Sequence, residues 1–573
     1  MCGIMALINN IYNDETIKKA YDNGNSRGPE NRNYINYNNI SLYFHRLAIN
    51  GLNIKSNQPF IIDNIVLICN GEIYNFKKMY SDLNITPQTD SDCEIIIHLY
   101  KKYGIDDTLN MLDGVFSFVL YDINLNRIFV ARDLFGVRPL YILKPADRSI
   151  HFNNYSVASE LKVLRHFKNE NNIITQFTPG TYSTFSFKYN KTCNRYHFDL
   201  DKDNCFYSNI LSIPSIYNSL HQSTNISVYL NDIYNSLYRA VEKRVVNTTD
   251  RPIACLLSGG LDSSLIAALV SKISNRQIET YSIGMEGSED LKKARLVSNH
   301  LQSNHHEIVV SKDNFFNAIE NVIYNIESYD TTTVRASVGN YLIAKYISSN
   351  SEAKVIFNGD GSDELTGGYI YMHHAPDNIS FDLECKRLLK DIHFFDVLRS
   401  DRSISSNGLE PRTPFLDKDF VYNYLSIPVD LRNPKSKFNK NLKLWDNFSF
   451  TNKRPEKLLL RYAVYYNNPE LLPESILWRT KEAFSDGVSG NDGDWHQIIK
   501  TNIENYSLAN SFNNLTLNEI THNKPETNEQ IYYRKIFDKY YKNLDNTIPY
   551  FWMPKFINAA DASARTLDIY KTL

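Results

Sequence analysis

Residues 258–264 read SGGLDSS, and what flanks them narrows the fold more than any other feature of the chain. The apolar run Ile253-Ala254-Cys255-Leu256-Leu257 stands directly before the motif, and Leu261, Leu265, Leu269 and Ile273 follow four apart, the spacing of one helix face. A buried strand, a glycine turn and a helix therefore meet at one point. The two glycines let the backbone approach an anion closely, and the helix start aims free N–H groups and the positive end of its dipole at that anion. The lysine of a Walker A loop is missing, so the pattern fits a grip on pyrophosphate, as in enzymes that cleave ATP between the α and β phosphates, better than γ-phosphate transfer. AMP and pyrophosphate are the implied products. The competing account is a plain Gly-Gly turn before a helix capped by Asp262 or Ser263, and the flanking strand and helix weigh against it.

At 573 residues the chain is too long for one ordinary core and predicts at least two domains. Apolar residues at 42% and charged ones at 22% are globular values, and a net charge of -2 provides no global field to draw the chain to nucleic acid or an anionic membrane. The seven cysteines, at 2, 69, 93, 193, 205, 255 and 385, are odd in number, scattered and without a CxxC pair, which argues against a disulfide framework or a zinc site and fits a reducing cytosol. No run approaches the roughly 18 apolar residues of a membrane span, and MCGIMALINN lacks the basic region and long apolar core of a signal peptide. The expectation is a cytoplasmic protein with neither membrane nor nucleic-acid partners. Asn-rich patches such as 31–39 read as coding bias.

The periodicity divides the chain. Up to about Tyr196, short strand-like runs dominate, at 65–68, 115–121 and 127–131, the last two joined by a turn at 122–126, and predict antiparallel β-structure. From about Val228, strands expected at 253–257, 279–285 and 307–310 alternate with helices after SGGLDSS and through 291–301, which predicts a parallel sheet with helices on both faces. A stretch rich in Ser, Asn and Pro near 205–227 reads as linker.

The extreme N-terminus carries the second signal. A small residue after the initiator methionine favours its removal, which would leave Cys2 with a free α-amine as well as a thiol. An amine with a pKa near ~7.7–8.0 is partly neutral at physiological pH and can take the thiol proton, so nucleophile and base would share one residue. Taken alone, a cysteine near an N-terminus is more often an inert buried residue.

Its company adds much more. Phe44-His45-Arg46-Leu47-Ala48-Ile49, Cys69-Asn70-Gly71-Glu72-Ile73-Tyr74-Asn75, Thr89-Asp90-Ser91-Asp92-Cys93-Glu94 and Ala131-Arg132-Asp133-Leu134-Phe135-Gly136-Val137-Arg138-Pro139 follow in that order. The first half thus resembles the class II glutamine amidotransferase domain, and with SGGLDSS the whole chain resembles the glutamine-hydrolysing asparagine synthetase family. The likeness continues through Asn358-Gly359-Asp360-Gly361-Ser362-Asp363-Glu364, Trp478-Arg479-Thr480-Lys481-Glu482-Ala483-Phe484-Ser485-Asp486-Gly487 and Tyr550-Phe551-Trp552-Met553-Pro554. It implies an N-terminal-nucleophile αββα sandwich over 2–200, a linker over 201–227, and a doubly wound parallel-sheet ATP-pyrophosphatase domain over 228–560.

The resemblance also implies roles. Cys2 would attack the side-chain amide of glutamine and release ammonia, with the Asn70 amide and the Gly71 N–H as oxyanion donors. Arg46 would hold the glutamine α-carboxylate and Asp92 its α-ammonium, and Leu47, Ala48, Ile49, Asn50 and Glu72 would complete that pocket. ATP would lie on Leu257, Ser258, Gly259, Gly260, Asp262 and Ser263, with Ile283, Asn358 and Gly359 against its adenine and ribose. Asp262 and Asp363 would hold Mg²⁺, and Lys481 would stabilise charge on the adenylating phosphate. Aspartate is the implied acceptor, a homodimer the implied assembly, and a tunnel lined by apolar or small residues the implied route for ammonia. Read without that context, Asn70-Gly71 is a type I′ hairpin pair, Arg46 a surface charge, Asp92 a helix cap and Lys481 a solvated lysine.

Two positions depart from the family pattern. Asp360 stands where a glutamate associated with the intermediate and with ammonia's proton is usual, so the carboxylate is one methylene shorter. Pro411 replaces an aliphatic residue and is expected to alter local backbone only. The alternatives are a glutaminase whose synthetase half is impaired, or an amidotransferase for another carboxylate.

Overall fold

The computed structural model describes residues 1–37, 39–147, 153–191, 194–217, 226–247, 249–435, 455–480, 487–490, 493–510, 520–559 and 561. Lys481 lies outside these residues.

The first half is two stacked antiparallel sheets of six strands. One runs in the order Asn172–Gln176, Tyr141–Pro145, Tyr155–Ala158, Gly3–Ile8, Ile40–Arg46, Asn31–Tyr37; the other in the order Arg195–Phe206, Thr181–Asn190, Arg127–Arg132, Gly114–Asp122, Ile65–Ile73, Phe60–Ile62. Strand alternation builds the layers. Ile4, Ala6 and Ile8 face inward with Leu42 and Phe44, meeting Val66, Ile68, Val119 and Val130 of the second sheet in one dry core. Met5 and Leu7 point the other way, onto the helices Asp14–Asn23 and Leu161–Leu164. On the far side, Leu67, Cys69 and Phe118 pack against Ile96, Leu99 and Leu109 of the helix Ile95–Met111. Helix, sheet, sheet, helix is the αββα order.

The second half carries a five-stranded sheet, every neighbouring pair parallel, in the order Asn304–Val309, Glu279–Gly284, Ile253–Leu256, Val355–Phe357, Glu410–Arg412. Its faces are both covered: Cys255, Val355 and Phe357 pack with the helices Leu261–Ser274 and Ile226–Val246, while Ala254, Ile283 and Ile356 pack with the helix Thr331–Asn350. The strand order reverses between Ile253–Leu256 and Val355–Phe357. Ligands of open α/β sheets sit in the crevice beyond the carboxyl ends of the strands at such a reversal.

The strand Arg195–Phe206 enters the segment that composition assigns to the linker, where its Ser-Asn-Pro character begins only beyond Phe206. Pro411 is harmless for a visible reason. It lies in the edge strand, where Glu410 N donates to Lys354 O at 2.7 Å and Asn358 N to Arg412 O at 3.1 Å, so the N–H that proline lacks falls on the unpaired side. No described helix is long and apolar enough to cross a membrane.

Candidate functional sites

The first site gathers around Cys2. Its half-buried thiol donates to Leu47 O at 3.5 Å, and burial raises the thiol pKa, so it rests protonated and needs a base to become a nucleophile. Met1 is buried ahead of it, and desolvation lowers its α-amine to about 6, with Glu410 opposing the shift. An amine in these surroundings is a proton acceptor at neutral pH.

Asn70 and Gly71 do not form a hairpin. They sit inside the strand Ile65–Ile73, paired with Ser117 and Phe116, in the sheet facing the strand that follows Cys2. Asn70 is 1% exposed, and both atoms of its side-chain amide lack a hydrogen-bond partner. A buried amide left unpaired costs about 1–3 kcal/mol per group, which marks Asn70 as held for something that arrives from outside the fold.

Arg46 is no surface charge either. It is 6% exposed, its guanidinium donating to Asn53 O at 2.9 Å, Asn57 Oδ1 at 2.5 Å and Gly51 O, so the loop after it is wrapped around one cation. Asp92 caps nothing: Ser91 takes that part, while Asp92 Oδ2 accepts from Ile73 N at 2.6 Å and Oδ1 from Asn50 Nδ2 at 3.3 Å. Burial pushes the Asp92 carboxyl up to about 6. Glu72, which accepts from Asn50 Nδ2 at 2.7 Å, is also raised by burial, with Glu410 and Asp92 adding to the shift and Arg412 opposing it. Asn50 therefore bridges two buried carboxylates at one wall. Leu47, Ala48 and Ile49 are buried beside it, and Ile49 O and Ala48 O accept from Asp250 N and Arg251 Nε of the other half.

The second site is a cavity of about 210 Å³ at the reversal of the parallel sheet, walled by Leu257, Ser258, Gly260, Asp262, Ser263, Ile283, Asn358, Gly359, Asp360 and Asp363 among others. Nine expected residues of this half thus share one cleft with Asp360. Gly259 is not among the lining residues: it lies at φ 70, and a Cβ there would lie 2.4 Å from Lys293 Cβ, so the glycine permits the close approach of the helix Glu289–Leu301. Gly359 is needed for a similar reason, since a Cβ would meet the Asp262 backbone at 2.8 Å. The loop's own hydroxyls are linked, Ser258 Oγ to Ser263 Oγ at 3.0 Å.

Asp262 and Asp363 do converge, and what stands between them is Lys457 Nζ, 2.5 Å from Asp262 Oδ2 and 2.6 Å from Asp363 Oδ1. Lys457 is 1% exposed and sits at φ 58, a left-handed conformation that a long side chain adopts at a cost. Two hard carboxylates aimed at one point beside a phosphate-type loop suit Mg²⁺, which takes one or two carboxylates and fills its shell with phosphate oxygens and water. Asp360 keeps its place on the wall despite its shorter chain: Oδ1 accepts from Arg399 Nη2 at 2.8 Å, and Oδ2 is buried without a partner. Arg399 also reaches Asp396 Oδ1 at 3.2 Å.

No role is read in the sequence for Lys457, Arg399 and Asp396, nor for the buried set Arg138, Glu410 and Arg412. Lys457 opens Lys457-Leu458-Leu459-Leu460, which reads as the start of a core helix, and Arg399 lies on a helix with charges all round. Near the first site, Arg412 Nη2 lies 3.4 Å from Glu72 Oε2 and Arg138 Nη2 3.5 Å from Glu410 Oε2. The boundary that the edge strand Glu410–Arg412 shares with the Cys2 site is therefore charged.

A half-buried thiol beside one sheet of an αββα sandwich and an unpaired amide on the other sheet are joined to a phosphate-type loop at the switch point of a parallel sheet, the layout of a two-site enzyme. The glutamine amidotransferase domain model matches residues 1–198, and the asparagine synthase model matches 232–384 and 379–552. The chain is 39% identical over 597 aligned positions to asparagine synthetase (glutamine-hydrolysing) of Homo sapiens, 39% over 599 to that of Mus musculus and 38% over 597 to that of Gallus gallus, in each case covering 100% of this chain and 99% of the relative. The chain belongs to the asparagine synthetase family.

Proposed function

We propose that the protein makes asparagine from aspartate, taking nitrogen from glutamine and cleaving ATP to AMP and pyrophosphate. Similarity to glutamine-hydrolysing asparagine synthetases along the whole chain carries this reading, and the unpaired Asn70 amide is its strongest local support.

In the first half, residues 2–200 by this account, Cys2 Sγ attacks the glutamine amide carbon and its proton passes to the α-amine freed by removal of Met1. Asn70 Nδ2 and the Gly71 N–H hold the oxyanion, ammonia leaves, and water cleaves the thioester to glutamate. Arg46 and Asp92 orient the substrate through its carboxylate and ammonium. In the second half, residues 228–560, the loop from Ser258 to Ser263 binds ATP phosphates, with Leu257, Ile283, Asn358 and Gly359 against the nucleoside. The aspartate β-carboxylate oxygen attacks the α-phosphorus and pyrophosphate departs; ammonia then attacks the acyl carbon and AMP departs. Asp360, whose Oδ2 has no partner, accepts the proton that ammonia sheds. Asp262 and Asp363 are the residues that would hold Mg²⁺, which neutralises pyrophosphate charge when bound, and Lys457 adds its ammonium to the same oxygens. The role that resemblance gives Lys481 belongs to the same proposal.

Aspartate-dependent release of pyrophosphate from Mg-ATP, with ammonium chloride as nitrogen source, tests the second half by itself. Release that requires aspartate is expected. Its absence from protein that still hydrolyses glutamine would leave a glutaminase and overturn the synthetase assignment.

The first half has a pH signature. Asp92 must be ionised to bind an ammonium, and its carboxyl lies at about 6 in the free protein. Protonation on acidification therefore removes the binding charge, and kcat/KM for glutamine hydrolysis should fall about tenfold per pH unit below about 6. A profile flat down to pH about 5 would contradict the role given to Asp92.

A further inference from the structure

The strand Ile65–Ile73, which carries Asn70 and Gly71, has a neighbour on its outer edge only as far as Leu67. There Phe60–Ile62 pairs with it, Phe60 opposite Leu67, and the same register brings Gln58 opposite Cys69. The backbone of Gln58 lies outside that strand, and its side chain takes the place of one. Gln58 Oε1 accepts from Cys69 N at 2.6 Å, and Gln58 Nε2 donates to Cys69 O at 3.1 Å. One primary amide thus meets both backbone groups of Cys69, as a neighbouring strand would. The order of oxygen and nitrogen is forced, since the N–H must find an acceptor and the carbonyl a donor. Gln58 is 5% exposed and Cys69 1%, so both bonds are shielded from water.

Alternation then decides what the next residues offer. Every second residue of a strand turns its N–H and C=O to the same edge, so Cys69, Gly71 and Ile73 share the edge that Gln58 covers. The strand on the inner side agrees. Phe116, which stands opposite Gly71, spends both its backbone groups on its far side, its O accepting from Asp133 N at 2.8 Å and its N donating to Asp133 Oδ2 at 3.3 Å. Beyond Gln58, other side chains cap the edge: Gly71 O accepts from Cys93 Sγ at 3.5 Å, and Ile73 N donates to Asp92 Oδ2 at 2.6 Å. Of the three N–H groups, that of Gly71 alone has no partner among the described residues, and Gly71 is half-buried where Cys69 and Ile73 are buried.

A full strand continued past Cys69 would draw the Gly71 N–H into its ladder. A side-chain amide ends the ladder after one residue, so that donor stays free for an oxyanion. The same amide fixes where the other donor points: Gln58 Nε2 holds the Cys69–Asn70 peptide, and the Asn70 side chain, with no bond of its own, takes its aim from that backbone. Oxyanion donors act within about 2.7–3.1 Å of the developing charge, and misplacement by about 1 Å changes rates roughly 100-fold. Holding this peptide therefore bears on the rate.

We propose that Gln58 is a positioning residue for the oxyanion hole: its amide closes the sheet at Cys69, aims the Asn70 side chain and keeps the Gly71 N–H open to the substrate. Gln58 touches no reacting atom in this account. The inference rests on the roles given above to Cys2, Asn70 and Gly71.

Steady-state glutamine hydrolysis by the full-length protein tests it, in wild type, Gln58→Met, Gln58→Asn, Asn70→Ala and the double variant Gln58→Met with Asn70→Ala. Methionine fills the space and bonds to neither group of Cys69, whereas asparagine keeps the amide and draws it back by one methylene. Gln58→Met should lower kcat by about 10- to 100-fold with KM for glutamine within about threefold, because Arg46 and Asp92 still bind the substrate. Ammonia-driven asparagine synthesis by the same preparations should stay within about twofold of wild type. In the Asn70→Ala background, Gln58→Met should cost at least about threefold less than in wild type, since one of the groups it aims is gone. Gln58→Asn should lower kcat by about three- to tenfold at unchanged KM, and serves if Gln58→Met fails to fold. A kcat equal to that of wild type, an equal cost in the two backgrounds, a KM that rises while kcat is kept, or a joint fall of both activities overturns the inference alone. A wild type that hydrolyses no glutamine overturns the assignment of the Cys2 site, and the inference with it.

Discussion

Cys2→Ala is expected to lower glutamine-dependent asparagine synthesis by about 10³-fold or more while leaving ammonia-dependent synthesis within about twofold of wild type. The loss is large because nothing else near the site replaces a covalent nucleophile: Cys69 and Cys93 are buried in the layer beneath the second sheet. The second activity survives because Cys2 is half-buried at the edge of the sandwich core, where one lost sulfur leaves the neighbouring strands paired. Asn70→Ala sharpens the result. Removing one preorganised oxyanion donor costs about 10²–10³ in kcat, and here the deleted amide has no internal bonds to lose. Glutaminase activity should therefore collapse in a protein whose thermal stability hardly changes. Equal loss of both synthetic activities in Cys2→Ala would show that the thiol serves the fold or the second site, and would contradict the division of labour.

Lys457→Met should lower aspartate-dependent pyrophosphate formation by about 10²–10³-fold and leave glutamine hydrolysis within about twofold. Two consequences of one geometry separate this prediction from a simple loss of packing. With the ammonium gone, Asp262 and Asp363 lose the cation that stands between them, and removing one partner from a buried ion pair destabilises by roughly 3–5 kcal/mol. A divalent cation binding between the same carboxylates would restore what the lysine supplied. Magnesium alone is thus expected to raise the Tm of Lys457→Met more than that of wild type, by mass action on the folded state. A variant that keeps its pyrophosphate activity, or whose Tm ignores magnesium, would contradict the place given to Lys457 and the two aspartates.

The sequence and the structure agree where the signal is local and part company where it is not. The apolar runs at 65–68 and 115–121 and the four-residue spacing after Gly260 report burial directly, so those strands and that helix stand where expected, though the first strand extends to Ile73 and carries Asn70 and Gly71 within it. That extension removes the turn reading: the two are successive residues inside a strand. Glycine carried a second demand that no motif records: a Cβ at Gly259 would lie 2.4 Å from Lys293 Cβ, thirty-four residues away. Charge was the least legible. Lys457 and Arg399 earn their roles from partners 195 and 39 residues distant, and no periodicity records such a pairing. The departure at Asp360 was legible as a question, and the structure places its carboxylate on the cleft wall with one oxygen held by Arg399.

The central claim is that nitrogen released at Cys2 is the nitrogen that ends in asparagine. Supplying glutamine labelled at its amide nitrogen, together with aspartate, Mg-ATP and unlabelled ammonium, and reading the label in asparagine by mass spectrometry tests it most directly. Label in asparagine in excess of its share in the free ammonia pool, formed in step with AMP and pyrophosphate and absent with Cys2→Ala, is the predicted result. Asparagine that carries only the label expected from free ammonia, or none formed at all, would contradict the coupled function.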